Sequence, residues 1–232
     1  MTDVVDPVAW IPEECRHRFA IVRDEVAVAG TRFVLARPES AEDLISEQDF
    51  ARDERLPYWA DVWPSAFALC DDIVERPGSL FGHRGIELGC GVGLVACCAA
   101  RAGLEMTVAD YYDDAMAFAA ANVRANTGQA VVTLRLDWRA LPAQVERFDV
   151  VLAADVLYER AYGALVAQAV GRLLSPVGLA VVADPGRVGA SAFLDEAATL
   201  GLCPVRYTRS VVVSGRSHDV DVLVLKRTAP GV

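Results

Sequence analysis

From Arg84 onward the sequence alternates between short apolar runs and longer segments with helical periodicity. This order constrains the fold most, because strand–helix–strand units imply right-handed crossovers and a mostly parallel sheet. Two longer strand patterns, at 203–215 and 218–227, predict a hairpin that adds antiparallel strands at a C-terminal edge. We therefore predict a doubly wound α/β fold with a mostly parallel, seven-stranded sheet. The other strands are predicted at 86–88, 106–110, 131–136, 148–155 and 179–184, and helices at 92–103, 113–126, 159–174 and 189–201.

Residues 1–56 are predicted to form an N-terminal extension and residues 57–232 the main domain. Strand patterns at 19–22 and 32–35 flank Gly30 and predict a short β-hairpin, followed by a helix at 40–50. In the main domain, Ser65 is a candidate N-cap for a helix that ends before Pro77-Gly78.

Composition excludes several classes of protein. Hydrophobic residues make up 53% of the chain, yet no apolar run approaches the ~20 residues that a membrane-spanning helix needs. The N-terminus, MTDVVDPVAW, carries acids where a signal peptide would carry Lys or Arg. A net charge of −10 without a basic run argues against a nucleic-acid partner. The six cysteines lack zinc-ligand spacing, so we expect no metal, and they fit a reducing, cytoplasmic compartment.

The segment ELGCGVG, Glu87 to Gly93, lies between a predicted strand and a predicted helix. A ligand meets a parallel sheet at this carboxyl edge, and glycines let the backbone turn sharply and approach it closely. A dinucleotide-binding turn, G-x-G-x-x-G, would place its third glycine at position 94, which is Leu94. The observed Gly89, Gly91 and Gly93 therefore fit a ligand without a pyrophosphate better.

Acids and a tryptophan follow the neighbouring strands. Asp110 ends the second core strand, where a carboxylate can accept both ribose hydroxyls, although it could instead cap a helix. Asp137 can accept from an adenine amino group and Trp138 can cover a ring face, or the two could form a turn beside a packed indole. Glu87 suits the ammonium of an amino acid. Together they describe a pocket for S-adenosylmethionine.

The motifs PYWADVWP (57–64), ELGCGVG (87–93), AADVLYE (153–159) and ADPGR (183–187) resemble class I methyltransferases. More narrowly, the chain resembles methyltransferase family 16, the nicotinamide N-methyltransferase-like group, and within it the electron-transfer-flavoprotein β-subunit lysine methyltransferases. The resemblance implies the fold, S-adenosylmethionine as cofactor and an amine acceptor, and Tyr111 is placed with Asp110 in the cofactor site. The segment DYYDD at 110–114 departs from the usual Asn-Asp-x-Asp of this group.

Asp155 and Tyr158 match the D-x-x-Y positions that, in these lysine methyltransferases, face the incoming amine. A free lysine has a pKa near ~10.4, so only about one in 10³ is neutral at pH 7. A lone carboxylate tends to raise that pKa, so we assign Asp155 to orientation and electrostatics rather than to general base catalysis. The alternative for Asp155 is a helix N-cap.

Two further pairs are candidates. Trp59 and Trp63 lie in a loop that could cover the cofactor, where their rings would attract a sulfonium or methylammonium group, or they could pack in the core. Asp184 and Arg187 follow the fifth core strand, and Arg187 could clamp a substrate carboxylate. A structural Asp184–Arg187 pair is the alternative.

The predicted function is S-adenosylmethionine-dependent N-methylation of a protein lysine by a monomeric enzyme. A small-molecule amine methyltransferase is the alternative on the same fold. Two further readings are a nicotinamide-dependent oxidoreductase, against which Leu94 and the D-x-x-Y motif argue, and a non-catalytic S-adenosylmethionine-binding protein, against which Asp155 and Tyr158 argue.

Overall fold

A computed structural model describes residues 5–40, 44, 58–76 and 80–228. Apart from Ser40 and Leu44, the helix predicted at 40–50 lies outside the described residues. Within the described ranges no helix is long and apolar enough to span a membrane.

The main sheet has seven strands in the order β5-β4-β3-β6-β7-β9-β8. Strands β3 to β7 pair in parallel, while β9 is antiparallel to both β7 and β8. The predicted fold class, including its antiparallel C-terminal edge, is confirmed. The strands are β3 (Arg84–Leu88), β4 (Glu105–Asp110), β5 (Val132–Arg135), β6 (Phe148–Ala154), β7 (Leu174–Asp184), β8 (Leu202–Val213) and β9 (Arg216–Arg227).

Helices cover both faces of this sheet, which explains why its central strands are continuous apolar runs. Along β6, Val150 and Leu152 pack into one core layer, while Val151 and Ala153 pack into the other. The first layer contains α2, α3 and α4, and the second contains α5 and α6. The helices are α1 (Glu13–Arg18), α2 (Pro64–Val74), α3 (Leu94–Arg101), α4 (Asp113–Thr127), α5 (Arg160–Leu173) and α6 (Ala190–Thr199).

Two predicted boundaries were wrong. Strand β7 begins at Leu174, directly after α5, rather than near residue 179. Pro176 is tolerated because the β6–β7 register shifts between Phe148 and Val150, so the first part of β7 is irregularly paired. Helix α2 begins at Pro64, with Trp63 as its N-cap and no side-chain cap. Ser65 therefore lies inside the helix and does not cap it.

The N-terminal hairpin, β1 (Ile21–Val28) and β2 (Thr31–Pro38), is confirmed and is longer than predicted. Two asparagines of α4 bind the free edge of β2. The side-chain amide of Asn126 accepts from the Val34 N–H at 2.9 Å and donates to the Val34 carbonyl at 2.8 Å. Asn122 does the same with Ala36 and also donates to the Val92 carbonyl at 2.8 Å. The hairpin is thereby joined to the glycine-rich turn through α4.

We expect Asn122→Ala to lower the free energy of unfolding by about 3 kcal/mol, because it leaves buried backbone groups of Ala36 and Val92 without partners. Urea denaturation at an unchanged m-value measures this. Gln168→Ala is the control, since Gln168 is also a helical amide but makes an exposed contact, with Glu196, and should cost under about 0.5 kcal/mol. Equal losses for the two variants would contradict the anchoring role of Asn122.

Candidate functional site

One pocket opens at the carboxyl edge of β3, β4, β5 and β6. All the predicted cofactor-binding residues line it, as does Tyr158, whereas Asp184 and Arg187 do not. Several other residues of the pocket wall, among them Tyr58 and Tyr162, had no predicted role. The lining side chains and turns belong to Tyr58, Trp59, Asp61, Trp63, Glu87, Gly89, Cys90, Gly91, Gly93, Asp110, Tyr111, Tyr112, Asp137, Trp138, Arg139, Asp155, Tyr158 and Tyr162, together with apolar neighbours.

The glycine turn depends on missing side chains. Gly91 has φ +50°, and a Cβ there would lie 2.9 Å from the backbone carbonyl oxygen of Trp59. Gly89 has φ +65°, and a Cβ there would lie 2.8 Å from Val156 Cγ1. Any other residue at Gly91 would be strained and would also meet backbone, which moves less readily than a side chain. The turn is thus closed on the protein side, and its remaining face borders the pocket.

Asp110 fixes this turn from β4. Its carboxylate accepts from the Gly91 N–H at 3.1 Å and from the Tyr112 N–H at 3.1 Å. Burial raises its pKa, and the backbone hydrogen bonds act in the opposite direction. The first residue of α4 follows Tyr112, so Asp110 is not the N-cap of that helix. A carboxylate held at the pocket wall in this way is oriented before any ligand arrives.

Glu87 is almost fully buried at the start of the turn. Its Oε2 accepts from the Ala96 N–H at 2.9 Å. Burial raises its pKa well above the usual glutamate value, and the nearby charge of Asp110 adds to the effect. A cation in the pocket would favour the ionised form of Glu87.

Asp137 and Trp138 follow β5 and line the far side of the pocket. Asp137 caps a short 3₁₀ turn by accepting from the Arg139 N–H at 3.0 Å, and it pairs with the Arg139 guanidinium at 2.8 Å. The Trp138 ring meets Tyr162 edge-on with centroids 5.8 Å apart. Asp137 therefore has a turn-capping role of its own, and it still borders the pocket.

Asp155 lies just after β6 with φ +59°, a backbone conformation that residues other than glycine rarely adopt. Its Oδ2 accepts from Ser65 Oγ at 2.9 Å, and its Oδ1 accepts from Arg187 Nε at 2.7 Å. The N-cap of α5 is Glu159, so the helix-capping alternative for Asp155 was wrong. Side chains from two other segments therefore hold one buried carboxylate on a strained backbone, which is typical of functional positions.

The predicted Asp184–Arg187 alternative is also corrected. Asp184 Oδ1 accepts from the Gly186 and Arg187 backbone N–H groups, both at 2.8 Å, while the Arg187 guanidinium pairs with Asp155. Burial raises the pKa of Asp184. The carboxylate of Asp184 stabilises the turn at 185–187, and this turn places the Arg187 guanidinium beside Asp155.

Aromatic rings form a row along the pocket. Trp63, Tyr58, Tyr158, Tyr162 and Trp138 meet in sequence, edge-on, with centroid separations of 6.2, 5.7, 5.3 and 5.8 Å. Burial raises the pKa of Tyr158, so its hydroxyl stays protonated and can donate a hydrogen bond. Trp59 differs, because its indole packs against Phe19 and Phe118 in the core. Tyr162 was missed because nothing in its local sequence distinguishes it from a packing residue, whereas Tyr58 was missed although it lies in the PYWADVWP motif.

The fold is that of class I methyltransferases. The N-methyltransferase NodS from Bradyrhizobium japonicum, solved in complex with S-adenosyl-l-homocysteine, superposes with a TM-score of 0.59 at 19% identity, covering 79% of this chain and 96% of that protein. At such low identity the likeness shows the fold alone.

The chain belongs to the lysine methyltransferase family, whose model matches residues 51–196. It is 32% identical to EEF1A lysine methyltransferase 3 of Mus musculus over 192 residues, 79% of this chain and 77% of that protein. It is 37% identical to protein N-lysine methyltransferase METTL21A of Danio rerio over 49% of this chain and 55% of that protein. The electron transfer flavoprotein beta subunit lysine methyltransferase of Danio rerio is 28% identical over 56% of this chain and 51% of that protein. The family resemblance is confirmed, and the chain spans about half the length of the last two relatives.

The raised pKa of Glu87 predicts a pH-dependent stability. At pH values below the ordinary glutamate pKa of ~4.3, Glu87 is protonated in both the folded and the unfolded state, so its ionisation does not lower the free energy of unfolding. As pH rises toward its raised folded-state pKa, only the unfolded state releases the proton readily, and stability falls. We therefore expect Glu87→Gln to raise Tm at pH 8 more than at pH 5, by about 2–4 °C for each kcal/mol relieved.

Differential scanning calorimetry of the ligand-free protein at both pH values measures the effect. Glu146→Gln is the control, because Glu146 is an exposed glutamate paired with Arg84, and its replacement should change Tm equally little at both pH values. A Glu87→Gln protein with the same Tm change at pH 5 and pH 8 would contradict the role of burial.

Proposed function

We propose that this chain is an S-adenosylmethionine-dependent methyltransferase that modifies a lysine side chain of a protein. The observation that carries the proposal is the meeting of the glycine turn, Glu87, Asp110 and the Asp155–Tyr158 pair at one pocket. The relatives are named as lysine methyltransferases of proteins, which supports a lysine acceptor.

The residues present fit the cofactor by shape and charge. The missing side chains at Gly89 and Gly91 let the turn pack against Val156 and the Trp59 carbonyl, and its other face borders the pocket, where an adenosine ribose could approach and Asp110 could accept its hydroxyls. Glu87 would offset the ammonium of the methionine part, and Trp138 with Asp137 would border the adenine. Tyr111, Trp63, Gly93 and the backbone of Trp59 complete this set.

At the other end of the pocket, Asp155 and Tyr158 would hold the acceptor amine. When bound, the cofactor supplies an electrophilic methyl group on a sulfonium, so the amine forms an N–C bond as the C–S bond breaks and S-adenosylhomocysteine leaves. Asp155 can accept an N–H of the amine and aim its lone pair, and the phenol of Tyr158 can fix its position. Alignment of two reactants can supply about 7–11 kcal/mol, so positioning carries much of the rate.

Compartment and assembly belong to the same proposal. All six cysteines are unpaired, and five of them are buried, which supports a reducing environment such as the cytoplasm. The acidic net charge of −10 favours a lysine-bearing partner over nucleic acid. We propose a monomer that meets its protein substrate at the open mouth of the pocket.

The test incubates cell extract with the enzyme and tritiated S-adenosylmethionine and then separates proteins from metabolites. We expect labelled protein that yields methyl-lysine on hydrolysis. Asp155→Asn should lower labelling by 10²-fold or more while cofactor affinity, measured by calorimetry, changes by less than about threefold. Asp149→Asn is the matched control, because Asp149 is an exposed acid at the opposite end of β6.

Three results would contradict the proposal. Label confined to the metabolite fraction would favour a small-molecule amine acceptor. Full labelling by Asp155→Asn would remove Asp155 from the reaction. A protein that binds no S-adenosylmethionine would overturn the assignment as a whole.

A further inference from the structure

Arg187 is a cation beside the pocket that the proposed function does not use. Its Nε donates to Asp155 Oδ1 at 2.7 Å, and its guanidinium carbon lies 5.4 Å from the centroid of the Trp63 ring. The Asp155 side chain is only 4% exposed, against 36% for Arg187. The ion pair therefore consists of a buried carboxylate and a half-buried guanidinium that an indole holds in place.

The hydrogen bonds of Asp155 leave room for an acceptor. A carboxylate has about four lone-pair sites, and Ser65 and Arg187 each take one of them. The remaining sites can accept an amine N–H. The Asp155 carboxylate at the pocket wall is thus already paired with Arg187, and its orientation is already fixed by Ser65 and Arg187.

This pairing matters because the acceptor must arrive without a proton. A free lysine is protonated at neutral pH, and an unpaired carboxylate in contact would hold it more firmly as the ammonium. The ammonium has no lone pair and cannot attack a methyl group. A carboxylate paired with Arg187 orients the amine but attracts its proton less.

We propose that Arg187 is a positioning residue that neutralises Asp155, so that the acceptor amine enters the site uncharged and gives its proton to solvent. This inference rests on the proposed methyltransferase function. Among the described residues, the guanidinium that lines the pocket itself belongs to Arg139, and it is paired with Asp137.

Other titratable groups surround the pair. The charge of Asp155 acts on Asp184 of β7, and Glu159 follows Tyr158 in the loop before α5. The remaining titratable groups of the pocket lie on residues 58–61, on β3 and the glycine turn, on β4 and the residues after it, on the turn after β5, and on α5. They are the carboxyls of Asp61, Glu87, Asp110 and Asp137, the phenols of Tyr58, Tyr111, Tyr112 and Tyr162, the thiol of Cys90 and the guanidinium of Arg139. None of them is altered in the variants below, so a change in proton release reports on Arg187.

The test is isothermal titration calorimetry of the S-adenosylhomocysteine complex with n-butylamine, a lysine side-chain analogue, at pH 8 in two buffers of different ionisation enthalpy. The wild-type complex should release about one proton for each amine bound, because the free amine is protonated at this pH. Arg187→Gln should release less than half as much, since its Asp155 accepts the ammonium. Arg187→Lys keeps the charge and should restore most of the release.

A kinetic readout accompanies the binding measurement. In methyl transfer to the labelled protein acceptor, Arg187→Gln should move the acid limb of the kcat profile, which reports the bound amine, up by about one pH unit or more. Arg84→Gln is the matched control, because Arg84 also pairs with an acid, Glu146, and also stacks on a ring, Phe148, at the opposite edge of the sheet. It should leave proton release unchanged.

The outcomes separate this inference from the proposed function. A wild-type protein that binds no S-adenosylhomocysteine overturns the proposed function. A wild-type complex that takes up no amine, or takes it up without proton release, overturns the role of Arg187 alone. Arg187→Gln with wild-type proton release and a uniform loss of rate at every pH would make Arg187 merely structural.

Discussion

The close approach of the Trp59 carbonyl to Gly91 sets the shape of the carboxyl edge of the sheet. Space for one oxygen exists there because Gly91 has no side chain, and Asp110 holds the same residue by its N–H. Trp59, the glycine turn and β4 are thus held together by contacts that a methyl group added at Gly91 would disrupt. Asn122 connects the N-terminal hairpin to this cluster, since it donates to the carbonyl of Val92 in the turn and to the carbonyl of Ala36 in β2.

Asp155 follows β6, the strand next to the one that leads into this turn, and it connects further segments. It joins β6 to α2 through Ser65 and to the turn after β7 through Arg187. Removing one partner of a buried ion pair costs several kcal/mol, whereas the intact pair adds little net stability. We therefore interpret the Asp155–Arg187 pair as preorganisation for a reacting amine rather than as a source of fold stability. The pocket combines a rigid end for a cofactor with a rigid, charge-paired end for an acceptor.

The sequence predicted what is encoded locally. Apolar runs bounded by glycine predicted the seven strands, and the acids at strand ends predicted most of the pocket wall, because parallel strands end at one edge. The sequence could not predict contacts between distant segments. Ser65 is 90 residues from Asp155 and sits behind Pro64, which made it resemble a helix cap. Arg187 was expected near Asp184, but backbone N–H groups occupy that carboxylate.

The central claim is that the glycine turn receives S-adenosylmethionine, and calorimetric titration of S-adenosylhomocysteine tests it most directly. The account predicts one site in the wild-type protein and at least tenfold weaker binding by Gly91→Ala, whose Cβ would press on the Trp59 carbonyl. Gly215→Ala carries a similar backbone strain, at φ +75° in the β8–β9 turn, but has open space around it and should bind like the wild type. No heat from the wild type, or equal affinity in Gly91→Ala, would contradict the account.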